Sequence, residues 1–384
     1  MSSDASRRHL PEGGGHAPCD HLKLVCLSVY PPDGPSLRHR ILVYAGIWRS
    51  TGVALTVQPF LTRGLYRNRR RFGLWWALYK ALQFAFCTVR LTARVLLLRR
   101  FDLVIIHREA FPLGGAWFER LAARVNRHIV FDVDDAIWLP MPLSVNQRKL
   151  FWDRNRVADA MSACAAVVVG NDYLGAYASR HNASVHVIPT PYLDLGGSAN
   201  ATSRPGRSPV VVWIGNVGNE EYLGLVRTPL QRLAREFDFV FRVIGSAEAA
   251  GFSIPGVKVE ALEWREDRER EWLLDSSIGI MPLHDREYER GKCSFKLVQY
   301  FSAGLPVVAS PVGMNVDVVA DGFNGCLATD EDQWYASLKL LLDSEAERRR
   351  MGANGYATYR ARFTRGGNAE LWREVFARVR ASTP

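Results

Sequence analysis

Residues 288–313 read YERGKCSFKLVQYFSAGLPVVASPVG, and the fold turns on how this stretch is read. Gly291, Lys292 and Lys296 open a short apolar segment, and Gly304-Leu305-Pro306 closes it. The β-branched run 307–309 follows as a strand, and Ser310-Pro311-Val312-Gly313 turns off it. The order is loop, helix, tight turn, strand, loop. A helix N-terminus offers unpaired N–H groups and the positive end of a dipole. Two ammonium groups at i and i+4 on one helical face beside it suit a phosphate. An ordinary α/β unit with solvated lysines has the same local look, so the flanks decide between the two.

Working outward, 278–281 is a strand that delivers Pro282, and 210–214 is a strand that ends at Gly215-Asn216. Strand patterns also cover 239–244 and 257–259, with helical spacing over 220–236, 265–274, 330–342, 345–362 and 369–380. Toward the N-terminus, strands fall at 22–29, 53–58, 103–106, 129–133, 165–169 and 185–188, with helices at 36–48 and 146–164. Such alternation implies parallel, doubly wound sheets. The segment LGGSANATSRPGRSP, residues 195–209, reads as a linker. Residues 1–20 are polar, carry no apolar core for a signal peptide, and read as disordered. The expected layout is therefore 1–20 disordered, 21–193 a first domain, 194–209 the linker, 210–363 a second domain, and 364–384 a helix returning to the first.

The stretch 288–313, with Gly279-Ile280-Met281-Pro282-Leu283 before it and Asp321-Gly322-Phe323-Asn324-Gly325 after it, resembles the nucleotide-sugar site of glycosyltransferase family 4. The resemblance runs from about residue 22 to 363. It implies the α/β GT-B fold, two Rossmann-like doubly wound domains facing across a cleft. The second domain would hold a nucleotide sugar and the first would present a glycan or lipid-linked acceptor. Sugar transfer would proceed with retention, in cell-envelope, polysaccharide or glycolipid synthesis.

By the same resemblance, Gly215, Asn216, Lys292, Phe295, Lys296 and Gln299 are donor-binding. The family usually has a basic residue after the glycine at 215, where this chain has Asn216. It has two glutamates eight positions apart, where this chain has Gly291 and Gln299; Asp285 or Glu289 stands near enough to replace the first. These departures mark a divergent branch. They also motivate a rival reading, a non-catalytic nucleotide-sugar or glycan binder.

Asp134 and Asp135 follow a strand at the position where the family often carries a histidine beside the donor sugar. A carboxylate there can orient an acceptor hydroxyl or take its proton, or simply hold a loop. His107, at another strand end, is the second catalytic candidate. Arg38 and Arg40 lie just after the first strand's loop and are candidates for an acidic acceptor. Glu263 and Trp264 fall in the region that the family places near the base. The run Asp132-Val133-Asp134-Asp135 resembles a metal-binding DxD, but GT-B enzymes do not need a metal, and the lysines supply the positive charge. No cofactor and no metal are expected.

The chain has 384 residues, 48% of them hydrophobic, and a net charge of +10. Six scattered cysteines form no CxxC pair, which suits a reducing cytoplasm. No acidic residue occurs between Asp33 and Asp102, whereas thirteen basic ones do, with Arg67, Arg69, Arg70 and Arg71 clustered. No nucleic-acid module accompanies them, and no nucleic-acid partner is expected. The neighbouring run FGLWWALYKALQFAFCTVRLTARVLLL, residues 72–98, is interrupted by Lys80, Arg90 and Arg94. Each would cost about 2.5–3.5 kcal/mol at a bilayer centre. The span 63–100 is therefore expected to lie on a membrane surface, placing the protein in the cytoplasm and peripherally on the membrane's cytoplasmic face.

Overall fold

The computed structural model describes residues 21–382 except 33, 69–70, 140–152, 154, 198–207, 216–219 and 246–250. The segment 1–20, most of the linker and Asn216 lie outside the described residues.

Two six-stranded sheets organise the chain. The first comprises β1 (Leu22–Ser28), β2 (Val53–Pro59), β3 (Leu103–His107), β4 (Ile129–Val133), β5 (Ala166–Val169) and β6 (Val185–Val187), in spatial order β2-β1-β3-β4-β5-β6. The second comprises β7 (Val210–Ile214), β8 (Val240–Gly245), β9 (Val259–Glu263), β10 (Ile278–Met281), β11 (Val307–Ala309) and β12 (Gly325–Leu327), in order β12-β11-β10-β7-β8-β9. Every pairing is parallel. Strands β3, β4, β5, β7, β10 and β11 are buried at every residue. That is why they read as near-continuous apolar runs in the sequence, with His107 and Asp132 the exceptions: helices cover both faces. The strand order reverses between β1 and β3 in one sheet and between β7 and β10 in the other, and ligand crevices open at such points.

The helix Arg365–Ala381 crosses to the first domain. There Trp372 packs edge-on against Trp48, with ring centroids 6.0 Å apart, and the Asn368 amide donates to the Pro189 carbonyl at 2.7 Å.

Several local readings change. The helix expected over 36–48 is an α-helix, Pro35–Arg40, a 3₁₀ turn, Leu42–Tyr44, and a second α-helix, Ala45–Ser50. Of the helix expected over 146–164, the described part is Arg156–Ala163, and 146–152 and 154 lie outside the described residues. The expected helix over 220–236 is a 3₁₀ stretch, Glu220–Val226, followed by an α-helix, Arg227–Leu233. Pro229 explains the restart: inside a continuous helix its ring would strike the preceding turn, but in the first turn its missing N–H is harmless. The short strand read at 257–259 is β9, Val259–Glu263, so Glu263 ends a strand. Within 288–313 a short helix, Glu287–Arg290, precedes the main one, Phe295–Ser302. Lys292 therefore sits in the turn between two helices, and the two lysines do not share one helical face.

Candidate active site

The main helix of the 288–313 stretch, Phe295–Ser302, is pinned beneath the second domain's crossover point. The buried Tyr300 hydroxyl accepts from the Ile214 N–H at 3.1 Å and donates to the Ile280 carbonyl at 3.2 Å, bridging β7 and β10. Just before the helix, Ser294 adopts φ of 49°, a left-handed conformation uncommon outside glycine. Its hydroxyl donates to the Asn315 side-chain oxygen at 2.7 Å. Lys292 lies just before this sharp entry and Lys296 just after it.

The Lys292 ammonium lies 5.1 Å from the Tyr288 ring and 5.9 Å from the Tyr222 ring; that of Lys296 lies 5.6 Å from the Trp213 ring. Among the described residues neither lysine makes an ion pair. Burial, and then repulsion from Lys292, lower the Lys296 pKa to about 7, with Asp135 opposing weakly. Gly215 follows β7 beside them. A Cβ there would come within 2.4 Å of the Trp213 ring, so only glycine lets the backbone pass.

Gln299 is buried, and its amide donates to Glu269 at 2.9 Å. The Tyr192 hydroxyl and the Trp264 indole N–H bond to the same carboxylate. Trp264 is also capped by Arg38, whose guanidinium lies 4.8 Å from the ring and pairs with Glu266 at 2.9 Å. Arg38, read as an acceptor contact, thus clasps the second domain. Glu263 is exposed at the end of β9. The Phe295 ring faces the first domain, 4.6 Å from His39 and 5.7 Å from Tyr192.

Glu289 is fully buried, with one oxygen accepting from the Tyr222 hydroxyl at 2.6 Å and the other, Oε2, without a partner. Asp285, the alternative, is a surface residue paired with Arg290 at 2.6 Å.

The first domain presents a relay at the ends of β1, β3 and β4. Asp132 is buried between the Arg40 guanidinium at 2.9 Å and His107 Nδ1 at 2.7 Å. The other ring nitrogen, His107 Nε2, lies 2.8 Å from Ser36 Oγ, which donates to Asp134 Oδ2 at 2.8 Å. Arg108 closes the group, with Nε on Asp134 at 2.5 Å and Nη2 on Asp135 at 2.7 Å. Burial pushes Asp134 upward, but Arg108 and then His107 outweigh it and hold this carboxyl well below its usual range. Burial also raises Asp135; Arg108 relieves this and the neighbouring Asp134 adds to it.

Arg40 requires a correction. Its side chain is 0% exposed and is taken up by Asp132 and the Ile188 carbonyl, so it cannot reach an acceptor at the cleft surface. A buried carboxylate needs a compensating charge, and Arg40 provides it.

The two halves touch where these groups meet. The Cys293 thiol donates to the Asp134 carbonyl at 3.1 Å, and the Asn171 amide reaches the carbonyls of Gly291 and Lys292 at 3.2 and 3.1 Å. A Cβ at Gly291 would fall 2.6 Å from the Ala136 methyl. The position where the resemblance expects a glutamate has no room for a side chain in this arrangement. Asp134, Asp135 and His107 are thus gathered in one cluster, across the domain junction from Lys292 and Lys296. Sequence reading missed Ser36, Arg108, Tyr222, Glu269 and Cys293. Arg108 alone carried a signal, following His107 directly at a strand end; the others are ordinary residues until the fold brings them together.

Residues 208–344 match the family model described as "Glycosyl transferases group 1". No curated protein matches the sequence. Among solved structures, a glycosyltransferase from Rickettsia africae ESF-5 is 11% identical with a TM-score of 0.67, over 95% of this chain and 100% of that one. A sucrose-phosphate synthase from Thermosynechococcus elongatus is 14% identical with a TM-score of 0.64, over 94% and 100%. Alr3699/HepE from Anabaena, in complex with UDP-glucose, is 12% identical with a TM-score of 0.63, over 93% and 100%. The chain has the GT-B fold, and its second domain, over residues 208–344, is similar to group 1 glycosyl transferases.

Proposed function

We propose that the protein is a glycosyltransferase that takes a sugar from a nucleoside-diphosphate sugar and passes it, with retention, to a glycan or lipid-linked acceptor of the cell envelope. The observation that carries this reading is the pair of ammonium groups, Lys292 and Lys296, without an ion pair among the described residues, at the crevice of the domain that matches group 1 glycosyl transferases. A departing diphosphate carries the charge that would complete them. Two lysines at this point make a bridging metal unnecessary, and no cofactor enters the scheme.

Gly215 and the backbone after it, with Asn216, would border the phosphates. Gln299 and Phe295 would line the nucleoside side, with Glu263 and Trp264 beyond them. Gln299 would act together with the carboxylate it holds, Glu269. The free oxygen of Glu289 would accept from a donor-sugar hydroxyl. The donor's leaving phosphate would help remove the acceptor proton on the same face. Asp134, Asp135 and His107, held by Arg108, Ser36 and Asp132, would orient the acceptor, and Arg38 would hold the closed domains. Positioning and charge stabilisation supply most of such a rate enhancement, and the domain junction excludes water. A cytoplasmic location, on the inner face of the membrane, fits five buried free cysteines and a nucleotide donor.

The test is a panel of nucleotide sugars, UDP-glucose first because HepE carries it, scored by release of the nucleoside diphosphate. Release by the native chain and its loss in Lys296→Ala support transfer chemistry. Binding without release or transfer, whatever acceptor is added, would make the protein a non-catalytic nucleotide-sugar binder.

A further inference from the structure

We infer that the outward face of the helix Leu74–Leu96 docks on the surface of an anionic lipid bilayer. Of the seventeen large hydrophobic side chains exposed among the described residues, nine lie between Phe72 and Leu97. Leu74 is 84% exposed, Trp75 82%, Leu82 64% and Val89 70%. With Leu78 and Phe86 they recur at helical spacing and form one continuous stripe. The opposite face, with Cys87, Leu91 and Val95, is buried against the first domain. A stripe of this length on a soluble surface marks an interaction site.

Charge around the stripe selects the partner. Arg90 and Arg94 turn inward, donating to the carbonyls of Phe60 at 2.6 Å and Pro59 at 3.0 Å, so they do not interrupt the apolar face. Lys80 folds back onto the Arg71 carbonyl at 2.6 Å. Arg63, Arg67 and Arg71 are exposed before the helix, and Arg99 and Arg100 after it. No acidic side chain lies between Asp33 and Asp102. An apolar strip bordered at both ends by cations fits a layer with acyl chains beneath anionic headgroups. A second copy of this chain is disfavoured, because a two-fold contact would set like-charged rims against each other. No helix among the described residues is long and apolar enough to cross a membrane, so the contact is with the surface.

The position of the stripe gives it a use. Phe84, on the inner side of the helix, packs 5.2 Å from Phe60 and 5.6 Å from Phe111, measured between ring centroids. Those two follow the carboxyl ends of β2 and β3, the edge of the sheet that bears His107. Docking would bring the cleft's rim to headgroup level, where a lipid-borne hydroxyl could enter.

The experiment is co-sedimentation of the full chain with vesicles of phosphatidylcholine alone and of phosphatidylcholine with phosphatidylglycerol. The expected result is binding to the second kind only, weakening as salt is raised. Leu78→Ser/Leu82→Ser/Phe86→Ser should bind about tenfold more weakly or worse, with melting temperature and UDP affinity unchanged. Equal binding by native and triple-variant protein would overturn the inference, as would failure to bind anionic vesicles. A dimer in solution that the triple variant dissociates, without vesicle binding, would assign the stripe to a second copy instead. UDP affinity on the same samples keeps this outcome separate from that of the donor site.

Discussion

The two crossover points of this molecule treat charge in opposite ways. At β1/β3 the described charges are matched: Asp132 by Arg40 and His107, and Asp134 and Asp135 by Arg108. At β7/β10 two ammonium groups stand over aromatic rings and, among the described residues, make no ion pair, and burial depresses one of them. A matched cluster is rigid before any ligand arrives and gains little charge energy from one. An unmatched cationic pair is a standing cost to the folded state, which an anion relieves. On the proposed function, the first domain would position and the second would bind charge.

The largest expected effect comes from unbalancing the matched side. Asp132→Asn leaves the guanidinium of Arg40, fully buried, without its counter-charge. It should cost about 3–5 kcal/mol of stability, read from urea unfolding. A cost near zero would mean that the cluster is not held by charge and would erase the contrast.

Next is the unmatched side. Lys296→Ala should weaken nucleoside-diphosphate affinity about a hundredfold, that is about 2.7 kcal/mol, measured by calorimetry. Lys296→Met should weaken binding equally while stabilising the free protein by about 0.5–2 kcal/mol, since it removes a buried charge and keeps the apolar volume. A variant that binds normally, or that loses stability, would show Lys296 to be a structural residue.

The seam between the domains sharpens the comparison further. A Cβ at Gly170 would lie 2.2 Å from the Cys293 sulfur and 3.3 Å from its Cβ. Gly170→Ala should therefore push the halves apart at a cost of about 1–3 kcal/mol, lowering turnover more than stability. Cys293→Ala in the same chain should restore most of the loss, because it removes the nearer atom. No rescue would mean that turnover does not depend on this contact.

How much of this was legible in the sequence follows from how local each feature is. Buried parallel strands announce themselves, since residues such as 103–106 and 278–281 must be apolar on both sides. The Gly-Lys turn was visible for the same reason: its chemistry lies within a few residues. The apolar run over 72–98 was visible, but not which face of its helix, Leu74–Leu96, pointed outward, because both carry large apolar groups. What could not be read was pairing over long separations. Arg40 and Asp132 are 92 residues apart, and Gln299 and Glu269 are 30 apart. An arginine just after a strand's loop looks like a ligand contact until the carboxylate opposite it is placed. Gly291 looks like a lost glutamate until Ala136 is found against it.

The smallest effect is the most diagnostic. With Lys296 held to about 7 in the free protein, a nucleotide sugar bound as proposed would take the ammonium form, and that form dwindles as pH rises. A nucleotide sugar suits the measurement because its phosphate diesters do not titrate near neutrality. From pH 6 to 8 the protonated fraction, and with it the apparent affinity, should fall about tenfold. Stability should move the other way. Between about 7 and the lysine's ordinary 10.5 the unfolded chain binds more protons than the folded one, so this residue's contribution to stability increases as pH rises through that window. Lys296→Met should flatten both trends. Solvated surface lysines would show neither, so affinity unchanged from pH 6 to 8 would move Lys296 out of the buried, unmatched pair and reduce the two crossover points to the same kind of surface.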